Sequence, residues 1–506
     1  MPETYSLRSK DRLLLATVAV LVCLPAILVE HSAGFQEAVL AQSLHEMSAS
    51  GQWLVPTVGG LPWLNAPPLT QWFAHAAASL FGISNVLIAV RLAGMLPLVL
   101  ATLWTASFAA ACSGRRSGVL AGFVLLTTLG VAENVWHGGN AIWLVAAGSG
   151  LMNLLARLES YTHGRRHVAQ QIATADTLHR ESIVRVLAVF VLLGLSTLIA
   201  GPLAAFVTIL VPAAGHVLLR RGVTLKITNP WLTGWLITAT IAAAWPVTMS
   251  WFGSGSWLDV VRGPSRGWQP MTQLWMLAQI SLPWLPFTVL GQWCLRHDSF
   301  AGSYSRERLL ACWSISVPIA VFLLAPSSMN LAIAAAGAWS VSAAIGAERI
   351  ANAIFKELPL LETRHNRAVL QNFLGGCAAV LTLSIVWNDL GSESRPVDQA
   401  LLAEARAVAA DGHPLLVDLS LGEQAAVLLV ELDGLATPLS SQHNSDVPAN
   451  SVVISSWVLQ QSELPRGNAV PIVGSSSEGR LVLVRPEPAP GSDTTRIASE
   501  TAVPRY

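Results

Sequence analysis

Long apolar segments with few charges between them constrain this chain more than any other feature. Only 12% of its 506 residues are charged and 53% are hydrophobic, whereas a soluble domain carries about 25% charged residues. The formal net charge is zero, so no global positive field attracts a polyanion. These values exclude an ordinary soluble enzyme, a disordered protein and a nucleic-acid-binding protein, and they predict a polytopic membrane protein.

Apolar stretches of about 20 residues, the length that crosses a bilayer as a helix, recur before residue 388. Eleven stretches qualify as spans, at 13–29, 86–111, 117–135, 141–157, 184–200, 203–219, 231–251, 271–295, 309–325, 330–347 and 368–387. The stretch 69–81 is too short to span and is expected to be interfacial or re-entrant. We therefore predict an all-α polytopic membrane domain over residues 1–387.

The positions of lysine and arginine orient these spans, because cytoplasmic loops collect both residue types. With a cytoplasmic N-terminus, all basic residues before residue 388 except Arg91, Arg262 and Arg266 fall on the cytoplasmic side. An odd number of spans then places the C-terminal region on the outer side of the membrane.

The C-terminal region has a different pattern. A helical stretch at 397–410 precedes short apolar runs at 414–419, 426–432, 451–459, 469–474 and 480–485. This alternation predicts a small α/β domain over 388–485, outside the membrane. Residues 486–506 are rich in Pro, Ser, Thr and Glu and are expected to form a disordered tail.

The loop 30–85, between the first two predicted spans, begins with apolar residues at helical spacing. They predict an amphipathic helix at 34–49 that lies along the membrane surface, with Gln36, Glu37 and His45 on its other faces. Gly51 ends this helix. The rings of Trp53 and Trp72 suit the membrane interface.

This loop resembles the first periplasmic loop of the family 39-type membrane glycosyltransferases, which have the GT-C fold and include protein O-mannosyltransferases and aminoarabinose transferases that modify lipid A. The matching residues are Gly51-Gln52-Trp53-Leu54-Val55-Pro56, Gly60-Leu61-Pro62, Pro67-Pro68-Leu69, Trp72, Phe81-Gly82, Arg91-Leu92, Gly114-Arg115-Arg116 and Gly201-Pro202. The resemblance is good over residues 12–220 and extends to the layout of the rest. It implies a bacterial inner-membrane protein with about 11 transmembrane helices, periplasmic surface helices and a periplasmic C-terminal domain.

Such enzymes transfer a sugar from a polyprenyl-phosphate carrier to an acceptor at the outer membrane face. The resemblance places the family's acidic Asp-Glu pair at Gln36-Glu37, its second Asp nearest Asn140, and the Glu-Lys before Pro-Pro at Asn65-Ala66. An amide does not accept a proton near neutral pH, so Gln36 and Asn140 are not general bases. The missing lysine weakens stabilisation of a leaving phosphate.

The candidate site therefore combines residues placed by the resemblance with other polar residues on the outer side. Candidates for the reacting centre are Glu37, Gln36, Glu133 and Asn140, and candidates for binding donor or phosphate are Arg91, His137, Arg262, Arg266 and Asn65. Each has a plainer interpretation. Glu37 can stabilise a helix N-terminus, Arg91 can extend to lipid headgroups, and Glu133 and His137 can be interfacial structural groups. No metal motif or cofactor is predicted, although a divalent metal is left open, and the donor substrate is a lipid-linked sugar.

Two functions fit these residues. The first is a glycosyltransferase that acts on an envelope lipid, glycan or protein. The second is a catalytically degenerate GT-C relative that binds a lipid carrier or supports a protein partner in envelope assembly. Membrane lipids and a polyprenyl-phosphate sugar are the expected partners, and nucleic acid is not. A transporter is disfavoured, because the sequence lacks charged mid-span residues and repeated halves.

Overall fold

A computed structural model divides the chain into two compact units, Met1–Ser394 and Arg395–Tyr506. The structure describes residues 6–28, 35–58, 61–62, 68–83, 85–136, 141–168, 175–201, 205–219, 229–251, 270–301, 305–324, 332–357, 399–418, 428–430, 432, 435–439, 452–456, 472–475 and 481–484.

The described part of the first unit is almost wholly helical. Its α-helices are α1 (Ser9–Leu28), α2 (Phe35–Ser50), α3 (Leu69–Phe81), α4 (Val86–Ser113), α5 (Arg115–Leu126), α6 (Leu129–Trp136), α7 (Ala141–Val168), α8 (Ala175–Ala200), α9 (Val211–Leu219), α10 (Asn229–Trp251), α11 (Pro270–Ser281), α12 (Leu285–Ala301), α13 (Ser305–Leu324) and α14 (Ala336–Glu357). A π-helical segment (Phe206–Leu210) leads into α9, a 3₁₀ turn (Ile333–Ala335) leads into α14, and β1 (Thr57–Val58) pairs with β2 (Leu61–Pro62) in a small antiparallel hairpin.

Two of the predicted spans are broken helices. The predicted span 117–135 consists of α5 and α6, which are bent by 57° at the break, and the predicted span 271–295 consists of α11 and α12. Among the described residues, α4 alone is long and apolar enough to cross a membrane, and the α5–α6 pair passes the same test if it counts as one span. The span 368–387 lies outside the described residues, so the count of eleven stays a prediction.

Glycines allow close helix contacts in the interior of the first unit. A Cβ atom on Gly291 of α12 would lie 1.8 Å from the carbonyl oxygen of Ser342 on α14, and a Cβ on Gly346 would lie 2.2 Å from that of Phe287. The two helices therefore approach at a separation that only glycine permits, as is usual in packed membrane helices. The fully buried Trp313 of α13 meets Phe108 of α4 edge to face, with ring centroids 5.8 Å apart.

The helix bundle has two polar ends. At the end that carries α2 and α3, hereafter the α2–α3 end, the N-termini of α4 and α7 contact these two short helices. At the opposite end, the Asp11 carboxylate accepts two hydrogen bonds from Arg115, of 2.5 and 2.6 Å. This guanidinium holds the pKa of Asp11 below its usual value. Arg306 also donates to the Ala111 carbonyl oxygen over 2.7 Å.

The described residues of the second unit form α15 (Gln399–Ala410) and five strands, β3 (Leu415–Asp418), β4 (Ala436–Leu439), β5 (Val452–Ser456), β6 (Ile472–Ser475) and β7 (Leu481–Val484). The sheet order is β4-β3-β5-β7-β6, with β3 parallel to β4 and β5, and β7 antiparallel to β5 and β6.

One apolar run of the second unit contains a helical segment. Residues 428–430, within the run 426–432, are helical, and the strand β4 follows them. The buried Leu428, Leu429 and Leu432 show why, because neighbouring positions are buried together and period-2 alternation is lost. Residues 486–506 lie outside the described part, so the disordered tail stays a prediction.

Candidate functional site

Helix α2 packs one long face onto the protein at the α2–α3 end. Its residues from Glu37 to Ala41 are all buried, as are Ser43, Leu44 and Met47, while His45 and the last turn are exposed. The sequence prediction placed Glu37 on a polar face. The structure instead buries this carboxylate completely.

Burial of Glu37 is possible because its charge is paired. The Glu37 carboxylate accepts a hydrogen bond from Nε of Arg91, which lies in the second turn of α4 and is itself buried. A buried charge is tolerated when an opposite charge and hydrogen bonds compensate for lost water. The structure thus brings together two residues that the sequence suggested for separate roles, and the pair fastens α2 to α4.

The segment after α2 is fastened to α3. Gly51 ends α2 with a positive φ of 70°, a conformation that suits glycine. The indole Nε1 of Trp72 donates to the Trp53 carbonyl oxygen over 2.7 Å, and the Trp53 ring lies against His75 with centroids 4.2 Å apart. These two tryptophans are therefore joined by a contact within the protein.

Helix α3 also contacts the start of α7, which the sequence analysis did not single out. Phe73 stacks on Trp143 with ring centroids 4.5 Å apart and an interplanar angle of 29°. The signal was present in the sequence as two aromatic residues, each near the start of an apolar helix. Tryptophan excess in a membrane protein is usually interfacial, so sequence reasoning offered no ground for pairing them.

Three neutral polar atoms on α3, α6 and α7 are buried without hydrogen-bond partners among the described residues. They are Thr70 Oγ1 of α3, Asn134 Oδ1 of α6 and Trp143 Nε1 of α7. Buried polar atoms are nearly always satisfied in folded proteins. A hydroxyl-bearing ligand could satisfy both kinds of atom, since hydroxyls donate and accept.

Glu133 lies on α6, one residue before Asn134, and is partly exposed. Glu133 also interacts with another group of the protein. Of the two candidate carboxylates, Glu133 is thus partly exposed, whereas Glu37 is buried and paired with Arg91.

The other predicted site residues lie beyond what the structure describes. Gln36 is in the first turn of α2, but its side chain is not described, and Asn65, His137, Asn140, Arg262 and Arg266 fall outside the described residues. Among the residues that are described, no group of three His, Cys, Asp or Glu side chains could hold a metal ion.

The described residues can supply three chemical roles. A partly exposed carboxylate at Glu133 can accept a proton, and the neutral atoms of Thr70, Asn134 and Trp143 can bind hydroxyl groups. The Glu37–Arg91 pair supplies rigidity, because both partners are buried and each neutralises the other.

Comparison with known proteins supports the fold. By sequence, no protein-family model and no curated protein matches the chain. By structure, it is similar to ArnT from Cupriavidus metallidurans in the apo state, with a TM-score of 0.68 at 15% identity, over 93% of this chain and 97% of that one. It is also similar to the same enzyme bound to undecaprenyl phosphate, with a TM-score of 0.61 at 16% identity and the same coverage.

The chain is also similar in structure to a second glycosyltransferase, with a lower TM-score. The archaeal oligosaccharyltransferase AglB from Archaeoglobus fulgidus, in complex with an inhibitory peptide and a dolichol-phosphate, matches with a TM-score of 0.53 at 11% identity, over 85% of this chain and 64% of that one. ArnT and AglB are both GT-C fold glycosyltransferases and integral membrane proteins. The chain therefore has the fold of the GT-C membrane glycosyltransferases, as the resemblance of its first loop implied.

Proposed function

We propose that this protein is a membrane glycosyltransferase that takes a sugar from a polyprenyl-phosphate donor and transfers it to an envelope lipid, glycan or protein. The observation that carries the proposal is the likeness to ArnT bound to undecaprenyl phosphate, which extends over nearly the whole length of both chains. The unpartnered neutral atoms of Thr70, Asn134 and Trp143 support it, because they suit the hydroxyl groups of a sugar.

In this reaction an acceptor oxygen attacks the anomeric carbon of the donor sugar. The bond between that carbon and the phosphate oxygen breaks, and polyprenyl phosphate leaves with the bonding electrons. Glu133 takes the proton of the acceptor hydroxyl as general base. We assign the base to Glu133 rather than Glu37, because a proton on Glu37 would break its buried charge pair with Arg91.

The pairing of Arg91 with Glu37 also changes which residues we assign to the donor phosphate. Arg91 holds Glu37 inside the protein, so the donor phosphate would fall to Arg262 and Arg266, with His137 and Asn65 as neutral contacts. Gln36 and Asn140 would orient the acceptor by hydrogen bonds, since amides both donate and accept. The donor requires no cofactor in this scheme.

A second function is favoured by one observation. The Glu37 carboxylate, at the position where the resembling family keeps an acidic pair, is enclosed with Arg91, and its neighbour is the amide Gln36. A catalytically degenerate relative that binds a lipid carrier, or supports a partner in envelope assembly, would retain such a framework without a base.

A transfer assay separates the two functions. Purified protein in lipid nanodiscs would be given a panel of polyprenyl-phosphate sugars and an envelope lipid extract, and labelled product would be measured. The transferase predicts product that falls by about 100-fold or more in Glu133→Gln, since general-base catalysis contributes roughly 10²–10⁴-fold. The matched control is Glu46→Gln, a carboxylate on α2 that accepts from Gln42 over 2.8 Å. Bound donor without any product would favour the degenerate relative.

A further inference from the structure

The two broken helices of the first unit meet at their breaks. The backbone N–H of Leu129, the first residue of α6, donates to the carbonyl oxygen of Leu282 over 2.8 Å. The indole Nε1 of Trp284 donates to Thr127 Oγ1, also over 2.8 Å. The first bond pairs two backbone groups across the breaks, and the second joins a side chain of each broken helix.

The sequence explains why these groups are available. In a continuous helix the Leu282 carbonyl would accept from residue 286, but Pro286 has no N–H to donate. In the other helix, the hydroxyls of Thr127 and Thr128 donate to the carbonyls of Phe123 and Val124 over 2.8 and 2.6 Å. Irregular backbone at membrane depth is tolerated where such partners satisfy it.

Packing around the hydrogen bonds is tight. A Cβ on Gly130 of α6 would lie 2.9 Å from the Cα of Ile280 on α11, and Ile280 is fully buried. Trp284 is buried in a cluster with Val124 and Ala343. The direction in which α6 leaves the break is therefore set by α11 and α12 rather than by continuation of α5.

Helix α6 carries Glu133 and Asn134, four and five residues beyond Leu129. We propose that Trp284, Thr127 and Pro286 are positioning residues that fix α6 and thereby place Glu133 for proton transfer. The proposal rests on the proposed glycosyltransferase function, because Glu133 is the base of that reaction. Trp284 and Pro286 act at a distance, through the contact between the two breaks.

Two substitutions loosen the contact in different ways. Trp284→Phe keeps an aromatic ring and removes the Nε1 donor. Pro286→Ala, at an exposed position, restores an N–H that competes with Leu129 for the Leu282 carbonyl. The matched control is Trp339→Phe, which removes a Trp donor to the Ser314 carbonyl, at 3.1 Å, in a different pair of helices.

The first measurement is the rate of transfer with the best donor from the panel. Trp284→Phe and Pro286→Ala are expected to lower kcat by about tenfold with KM changed by less than about twofold, because misplacement of a reacting group slows the chemical step. Trp339→Phe should keep kcat within about twofold of wild type. A rise in KM with kcat unchanged would contradict the positioning role. An equal loss of kcat in all three variants would also contradict it.

The second measurement does not need activity. In protein whose native cysteines are replaced by serine, Asn134→Cys would be labelled with a charged maleimide. Trp284→Phe or Pro286→Ala should change the labelling rate by about threefold or more, because α6 opens more often when its contact is weakened, and Trp339→Phe should not. Unchanged labelling in both test variants overturns the proposal. If wild type transfers no sugar, the proposed function fails, and labelling still decides whether the breaks fix α6.

Discussion

Two ion pairs, one at each end of the helix bundle, show how burial changes what a charge pair contributes. At the α2–α3 end, Glu37 and Arg91 have side chains that are 0% and 5% exposed. At the opposite end, Asp11 is 10% exposed and Arg115 is 39% exposed, so water solvates much of its guanidinium. Both pairs join residues distant in sequence and fasten one helix to another.

This difference in burial indicates that the Glu37–Arg91 pair stabilises the fold more than the Asp11–Arg115 pair does. Removing one partner of a buried pair leaves an uncompensated charge, which costs about 3–5 kcal/mol, whereas a half-exposed pair contributes about 0–1 kcal/mol. A catalytic base must exchange its proton, whereas the Glu37 carboxylate is buried and paired with Arg91. Four predictions would break or sharpen this contrast.

The largest effect is expected for Glu37→Gln. It leaves the Arg91 charge buried without its partner and should lower the free energy of unfolding by about 3–5 kcal/mol, measured by denaturant titration in detergent. The double variant Glu37→Met with Arg91→Met should lose much less, because apolar residues of similar size can replace a buried pair. A Glu37→Gln protein as stable as wild type would show that the pair does not fasten α2.

An intermediate effect is expected at the Trp53–Trp72 contact of the same end. Trp72→Phe keeps an aromatic ring and removes the hydrogen bond to the Trp53 carbonyl. It should lower the free energy of unfolding by about 1 kcal/mol and increase proteolysis within residues 51–58. Leu80→Ala, an exposed position on the same helix, is the control and should change neither measurement.

A smaller effect is expected at the opposite end. Asp11→Asn should lower the free energy of unfolding by up to about 1 kcal/mol at pH 7. Because Arg115 lowers the pKa of Asp11 from its usual 3.8, this contribution is present above that value and is lost as the pH falls through the lower pKa of the folded state. The difference in unfolding free energy between wild type and Asp11→Asn should therefore shrink in acid. A difference that grows in acid would contradict a stabilising ion pair.

The smallest effect concerns salt. Raising the ionic strength to about 1 M shortens the screening length to about 3 Å, so the destabilisation by Asp11→Asn should shrink. The destabilisation by Glu37→Gln should persist, because buried pairs are screened much less. Unfolding titrations of both variants at low and high salt test this, and an equal response to salt would remove the contrast between the two ends.

The sequence anticipated many helices because apolar length and loop composition are local signals. The predicted surface helix 34–49 is α2 (Phe35–Ser50), and the short stretch 69–81 is α3 with the same bounds. The breaks in the predicted spans 117–135 and 271–295 were not foreseen. Hydropathy runs continuously through both, and the only local sign was the Pro283 and Pro286 pair near one of them.

The structure pairs two of the predicted site residues that sequence reasoning treated separately. Sequence reasoning selected Glu37, Arg91 and Glu133, but it assigned Glu37 and Arg91 to separate chemical roles. Their partnership joins positions 54 residues apart, and nothing in the residues between them encodes it. The contact between Phe73 and Trp143 was missed for the same reason.

The sequence by itself predicted a membrane protein and determined the helical character of its first unit, because composition and periodicity act over a few turns of chain. Only the tertiary structure decided which charges are enclosed, which helix breaks satisfy one another and which carboxylate stays accessible. Those outcomes depend on packing between distant segments, where burial turns Glu37 into a fastening for α2 and leaves Glu133 on a helix held by its neighbours.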